Sequence, residues 1–257
     1  MRRTALVIIG HGTRDPQGVA EFRELVAKVA AAAPEWIVEP CFLELAEPDV
    51  ARGLDRAVER GATEVVALPL LLFAAGHAKR DVPELLFEAS HRHPSVSYRQ
   101  APHLGCHADL VELSAQRYRE SDPPAAENTL LLLIGRGSYD PTANAEMAQF
   151  ARLRWEAERT AWYEVGFTAM AEPGLERAIQ VAGAMPFSHV VVQPHLLFAG
   201  ELLDRIGVAV RAAADRFPEQ SWSVTPHLGP SDLLVSAVLD RARCSPQAFG
   251  GVTLPPK

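Results

Sequence analysis

Three side chains that can bind a divalent metal each follow an apolar run of the sequence. They are His11, Glu44 and His77. Two imidazoles and one carboxylate, with coordination positions left open, suit a borderline ion such as Co²⁺, Fe²⁺, Ni²⁺ or Zn²⁺. Their spacing matches no short metal-binding motif, so the interpretation depends on the elements that would bring them together.

Those elements are predicted to be parallel strands. The apolar runs at 5–9, 36–43, 63–72 and 95–101 have the length and branched composition of buried strands, and helical periodicity separates them. This alternation predicts an α/β fold of the doubly wound, flavodoxin-like kind, with a parallel sheet covered on both faces. Such sheets bind ligands outside the carboxyl ends of their strands, where the three side chains would converge.

The pattern occurs twice along the chain. Gly10-His11-Gly12 returns 125 residues later as Gly135-Arg136-Gly137, and Pro102-His103-Leu104-Gly105 returns as Pro226-His227-Leu228-Gly229. Repeated landmarks at a nearly constant offset predict the duplication of a half-length α/β unit. We expect two lobes, 1–122 and 128–257, each with a four-stranded parallel sheet, joined by the proline-containing linker 121–127.

The second lobe lacks the three ligands. The positions equivalent to His11, Glu44 and His77 hold an arginine, an alanine and a leucine, namely Arg136, Ala169 and Leu202. The repeat therefore keeps its scaffold and loses the polar triad, which predicts a single site in the first lobe. Other histidines are given structural roles: His103 and His227 in turns, His195 packed and hydrogen-bonded in the core, and His91 and His93 at a solvated helix end.

Composition narrows the class of protein. The 257 residues are 48% hydrophobic and carry a formal net charge of −7, which argues against a general nucleic-acid binder. Three scattered cysteines without a CxxC pair indicate a reducing cytoplasm, and no run predicts a signal peptide or a membrane span. In an acidic protein, the cations Arg14, Lys79 and Arg80 beside the predicted site are candidates for binding substrate carboxylates.

Three segments resemble a known family. Gly10-His11-Gly12-Thr13-Arg14-Asp15, Glu44 followed by Ala46-Glu47-Pro48, and the stretch from Pro69 to His77 with Lys79-Arg80-Asp81 are similar to the sirohydrochlorin chelatases. These class II chelatases insert cobalt or iron into a tetrapyrrole. Thr13 stands where serine is common, and the histidine-rich tail of some cobalt-inserting members is absent.

The resemblance implies a fold, a reaction and a set of site residues. It implies two chelatase-like lobes, with the second closing a tetrapyrrole cleft, and ATP-independent insertion of Co²⁺ or Fe²⁺ into sirohydrochlorin for cobalamin or siroheme synthesis. His11 and His77 would hold the metal, and either they or Glu44 would take the pyrrole protons. Further residues would contact the tetrapyrrole: Thr13, Arg14, Gly76, Lys79 and Arg80. The metal would be a substrate, no nucleotide would be needed, and we expect a cytoplasmic monomer without nucleic-acid or membrane partners.

Some alternatives stay open at this point. The two-lobed arrangement resembles that of the cobalt-inserting members, which favours Co²⁺, but iron and nickel fit the same ligands. A tetrapyrrole or metal carrier would use the same cleft without turnover. A phosphate- or nucleotide-binding flavodoxin-like protein is a weaker candidate, because Gly10-His11-Gly12-Thr13 precedes a helix that could receive an anion.

Overall fold

The computed structural model describes residues 3–73, 80–244 and 253–254. The strands are β1 Thr4–Gly10, β2 Ile37–Phe42, β3 Glu64–Pro69, β4 Ser97–Gln100, β5 Thr129–Gly135, β6 Trp162–Phe167, β7 His189–Pro194, β8 Ser221–Val224 and β9 Thr253–Leu254. The helices are α1 Pro16–Ala32, α2 Val50–Glu59, α3 Val82–Arg92, α4 Ala108–Glu120, α5 Pro141–Ala157, α6 Leu175–Gly183, α7 Glu201–Arg216 and α8 Asp232–Arg243, with a short 3-10 helix at Ala126–Asn128.

The first sheet has the strand order β2-β1-β3-β4-β9. Its first four strands are parallel, and β1 pairs with β2 and β3 in matching register. The side chains from Ala5 to Ile9 are completely buried, as expected for a central strand covered on both faces. The predicted parallel sheet is confirmed, with one difference: the two-residue strand β9 adds an antiparallel edge beside β4.

Helices cover both faces of this sheet. On one face α2 and α3 pack together, and their buried residues form a core with alternate residues of β1 and β3, including Val7 and Val65. On the other face α1 packs beside α8. The remaining strand residues, which alternate with those that face α2 and α3, point to this second face because side chains alternate along a strand.

The second sheet repeats this arrangement with the order β6-β5-β7-β8, all parallel. The helices α6 and α7 share a core with β5 and β7 on one face. The helix α5 packs against β6 and against α4. The predicted duplication of a four-stranded parallel unit is therefore seen in the fold.

The compact units do not coincide with the predicted lobes 1–122 and 128–257. The first unit is Met1–Gly105 with Pro230–Lys257, and the second is Cys106–Gly229. Each repeat thus gives its last helix to the other unit: α4 completes the second and α8 the first. Sequence periodicity could not show this exchange, because an amphipathic helix has the same pattern whichever sheet it covers.

The chain passes between units directly after each copy of the Pro-His-Leu-Gly motif. Gly105 and Gly229 both have positive φ, 58° and 62°, a backbone conformation that glycine adopts without steric cost. The carbonyl oxygen of Leu104 accepts hydrogen bonds of 3.1 and 2.6 Å from Arg241 of α8. The carbonyl oxygen of Leu228 accepts bonds of 2.9 and 2.8 Å from Arg117 of α4. Each exchanged helix is therefore tied to the turn of the unit that it enters.

Buried partners differ between the two exchanged helices. In the second unit Gln193 Nε2 donates to the carbonyl oxygen of Ser114 at 2.6 Å, and the Arg154 guanidinium lies 5.1 Å from the Tyr118 ring centroid. The equivalent positions in the first unit are all apolar and buried: Leu68, Val238, Val29 and Ala242. The helix that enters the second unit therefore meets buried polar groups, whereas the helix that enters the first unit meets apolar side chains at these positions.

Among the described residues, no helix combines the length and the apolar character needed to cross a membrane.

Candidate active site at the ends of β1 and β2

Backbone pairing continues beyond the strand ends and brings His11 beside Glu44. After the last register pair, Gly10 with Phe42, the Leu43 N–H donates to the Gly10 carbonyl at 2.9 Å. The Glu44 N–H then donates to the His11 carbonyl at 3.0 Å. The sequence prediction that these two residues meet at one edge of a parallel sheet is confirmed.

The two side chains lie within ion-pair distance. His11 Nδ1 is 3.4 Å from Glu44 Oε1, and the side chains are 21% and 49% exposed. A carboxylate at this distance orients an imidazole ring and favours the tautomer with the proton on Nδ1. The lone pair is then on Nε2, the nitrogen that would bind a metal.

The glycines around His11 permit close packing of the protein itself. A Cβ on Gly10 would lie 2.9 Å from the Phe22 ring, and a Cβ on Gly12 would overlap the Glu44 carbonyl oxygen. Gly12 also has φ of +98°. The two glycines therefore hold the loop after β1 against the loop after β2.

The turn after Gly12 is closed by its own side chains. Thr13 Oγ1 accepts a hydrogen bond from the Asp15 N–H at 3.1 Å. Asp15 Oδ1 accepts from the N–H groups of Gln17 and Gly18 at 2.7 and 3.2 Å, which caps α1. Because this carboxylate occupies the amides that would receive an anion, the phosphate-binding alternative loses its main argument.

The predicted tetrapyrrole contacts are only partly described. Arg14 and Arg80 are exposed, the first in the turn before α1 and the second shortly before α3. Among the residues that the structure describes, none forms a hydrogen bond or an ion pair with the Arg14 side chain. His77, Gly76 and Lys79 lie outside the described residues.

The turn after Glu44 was not singled out in the sequence. Leu45 has φ of +64°, and the Ala46 N–H donates to the Glu44 carbonyl at 2.8 Å. This is a γ-turn with a leucine at its strained central position. No sequence signal marks it, because the turn residues Gly, Asn and Asp are absent there.

The second unit has the same backbone without the ligands. The Ala169 N–H donates to the Arg136 carbonyl at 2.9 Å, and a Cβ on Gly137 would overlap the Ala169 carbonyl oxygen. Arg136 is exposed, and Leu202 lies in the first turn of α7. The repeated scaffold thus carries the imidazole–carboxylate pair in the first unit, while the second has an arginine and an alanine at these positions.

Histidines outside the site have structural surroundings. His195 follows β7, is 2% exposed and lies 4.0 Å from Phe150 between ring centroids, so its predicted packing is confirmed. Burial lowers the pKa of His195 to about 3. His93 was expected to be solvated, but its Nε2 lies 2.9 Å from Asp55, which also accepts from Arg92 at 3.2 Å.

Known proteins share both the sequence repeats and the fold. The family model CbiX matches residues 5–121 and again 130–245. A sirohydrochlorin cobaltochelatase of Priestia megaterium is 29% identical over 93% of this chain and 78% of its own length. A sirohydrochlorin ferrochelatase of the same organism is 32% identical over 79% of this chain and 76% of its own length.

A solved structure extends the likeness to three dimensions. SirB from Bacillus subtilis with Fe³⁺ superimposes with a TM-score of 0.85 at 28% identity, covering 94% of each chain. The match thus includes both units of the fold as well as both repeats of the sequence. The chain belongs to the CbiX family.

Proposed function

We propose that this protein is a sirohydrochlorin metal chelatase that inserts a divalent ion, Co²⁺ or Fe²⁺, into the macrocycle without a nucleotide. The observation that carries the proposal is the His11–Glu44 pair, 3.4 Å apart at adjacent ends of parallel strands, in a chain of the CbiX family. Relatives named for this reaction cover most of the chain.

Insertion requires the ion to lose water and the ring to lose two pyrrole protons. His11 Nε2 would bind the incoming ion while Glu44 holds the ring of His11 through Nδ1. His77, placed by sequence alone, would supply the second imidazole. Glu44 is half exposed, so it can accept a pyrrole proton and pass it to solvent. One M²⁺ enters as two protons leave, and the overall charge is conserved.

Cations would recognise the carboxylates on the rim of the substrate. Arg14 and Arg80 are exposed, and we propose them for this role together with Lys79 from the sequence. Thr13 and Gly76 remain predicted contacts, although the Thr13 hydroxyl oxygen already accepts a hydrogen bond within the turn. The cytoplasmic location and the monomeric state also remain predictions.

We propose that the protein accepts more than one divalent metal as substrate. Two relatives from one organism, 29% and 32% identical to this chain, are named for cobalt and for iron respectively. Histidine and carboxylate ligands accept both ions, and selectivity then follows the supply of metal. Insertion rates for Co²⁺ and Fe²⁺ under matched anaerobic conditions would rank them.

The test is an insertion assay with catalytic amounts of protein. Metal-free sirohydrochlorin and Co²⁺ or Fe²⁺ are mixed anaerobically without nucleotide, and the absorbance of the metallated product is followed. We expect many turnovers per protein, and a loss of about 100-fold in His11→Ala because the metal loses a ligand. Arg136→Ala, at the equivalent position of the second unit, should keep the wild-type kcat.

Two results would contradict the proposal. A rate no higher than that of the protein-free control would favour a carrier that binds without turnover. Full insertion by His11→Ala at limiting metal would show that the site is elsewhere.

A further inference from the structure

Leu45 is placed where the fold itself gives a leucine little advantage. Its side chain is 49% exposed, so it contributes little to the core. Its φ of +64° lies in the left-handed region, which glycine adopts freely and leucine only with strain. A glycine or asparagine would make the same turn at a lower cost.

The turn also follows directly on one of the reacting groups. Leu45 directly follows Glu44, whose carbonyl oxygen closes the γ-turn with the Ala46 N–H at 2.8 Å. Glu44 in turn lies 3.4 Å from His11. Strained residues of this kind cluster at ligand sites, where the geometry that they hold is used.

The second unit has the same strained turn without the carboxylate. At the equivalent γ-turn Met170 has φ of +57°, and the Ala171 N–H donates to the Ala169 carbonyl at 2.7 Å. The repeat has thus lost the carboxylate but kept a long apolar side chain at the same strained position. An apolar residue is therefore present there whether or not a carboxylate is beside it.

A tetrapyrrole has two broad apolar faces inside a rim of carboxylates. A ring whose pyrrole nitrogens are presented to His11 and Glu44 must turn one face toward the loop that carries Glu44. We propose that Leu45 is a substrate-contact residue that packs on this face of the macrocycle and sets its position above the metal ligands. This inference rests on the proposed function, because it takes the macrocycle as the ligand.

The test compares binding with folding in three variants. Leu45→Gly removes the side chain and relieves the strain, Leu45→Met keeps an apolar chain, and Asp122→Gly relieves a positive φ of 50° at an exposed residue of the second unit. Fluorescence titration with metal-free sirohydrochlorin gives Kd without requiring turnover. Thermal unfolding gives Tm, and the insertion assay gives KM and kcat.

Leu45→Gly should raise Kd and KM by about tenfold while Tm stays equal or rises, because apolar contact with the ring is lost and strain is relieved. Leu45→Met and Asp122→Gly should keep the wild-type Kd. An unchanged Kd in Leu45→Gly, or a lower Tm in that variant, would overturn the proposal. If the wild-type protein binds sirohydrochlorin but inserts no metal, the proposed function fails while the contact can still be measured.

Discussion

His195 shows at the scale of one residue how burial decides the chemistry of a histidine. It lies within the fold of the second unit against Phe150, and burial lowers its pKa to about 3. In the unfolded chain the same ring has a pKa of about 6.5. Between these values the unfolded state binds a proton that the folded state excludes, so the free energy of unfolding falls as the pH drops below about 6.5.

A leucine at this position should reduce the sensitivity to acid. The equivalent residue of the first unit is the buried Leu70, so His195→Leu copies a side chain that the repeat already accommodates. Between pH 7 and pH 5 the wild-type Tm should fall more than that of the variant, with a difference of up to about 1.4 kcal/mol per pH unit in unfolding free energy. Circular dichroism melts at both pH values measure this. Parallel losses of stability in the two proteins would contradict the role of His195.

Residue-scale predictions from the sequence succeeded where strand order alone decides proximity. His11 and Glu44 follow adjacent parallel strands, so their meeting at one edge could be predicted from the apolar runs. The packing role of Gly10 and Gly12 could not be predicted, because the groups that a Cβ would meet there, the Phe22 ring and the Glu44 carbonyl, are distant in sequence. The strained Leu45 was missed because leucine is not a turn-forming residue.

The connection from β1 to α1 is the element that holds the candidate site in shape. Gly12 lets this loop touch the backbone of Glu44, and the Asp15 side chain caps α1 at once. The second unit offers a close copy, in which Gly137 lies against the Ala169 carbonyl and Asp140 caps α5. Both loops therefore need a glycine at this point, but the first loop positions a histidine and the second an arginine.

This pair of loops allows a matched experiment. Gly12→Ala and Gly137→Ala each force a Cβ into a carbonyl oxygen at positive φ, and each should cost about 2 kcal/mol of stability or more. The Gly12→Ala variant should also lose at least about tenfold in kcat, because His11 moves relative to Glu44. Melting curves and insertion rates per folded protein separate the effects. Equal kcat in the two variants would show that the spacing of His11 and Glu44 is not critical.

At this scale most strands and helices follow from apolar periodicity. The strands predicted at 36–43 and 63–72 are observed at Ile37–Phe42 and Glu64–Pro69, and a helix lies between them as the helical periodicity predicted. The strand β9 had no such signal, because two residues cannot show an alternating pattern. Its existence depends on the free edge of β4, which is a property of the assembled sheet.

The whole molecule is built from two units that each contain parts of both repeats. The buried residues of α4, such as Leu110 and Leu113, complete the second unit, and those of α8, such as Leu234 and Val238, complete the first. Separating the repeats would remove one helix from each sheet and expose these side chains to water. The loss would include the Gln193–Ser114 hydrogen bond.

A cut in the linker should therefore leave the protein in one piece. With a protease site placed within 121–127, the cleaved fragments should elute together in size-exclusion chromatography and separate only in denaturant, since hydrophobic burial holds both exchanged helices in place. A denaturing gel confirms the cleavage. Fragments that elute separately in native buffer would contradict the helix exchange.

The exchange could not be predicted because the two terminal helices have similar apolar patterns. The two helices differ instead in the buried residues that they meet in the unit they join. Ser114 faces Gln193 and Tyr118 faces Arg154, whereas the first unit has leucine, valine and alanine at the matching places. Placing α8 in the second unit would put Ala242 where Tyr118 stands, so the buried Arg154 guanidinium would lose the aromatic ring it packs on, which costs free energy.

The helix exchange also decides where this gene can be recombined with that of a relative. A crossover at the linker joins the first half of one parent to the second half of another, and each unit then receives a foreign helix over its buried pairs. The segment that transfers as an intact structural module is 106–229, with a glycine of positive φ at both junctions. In evolution, changes in β7 and α5 must accordingly be compensated in α4, which is encoded in the opposite half of the gene.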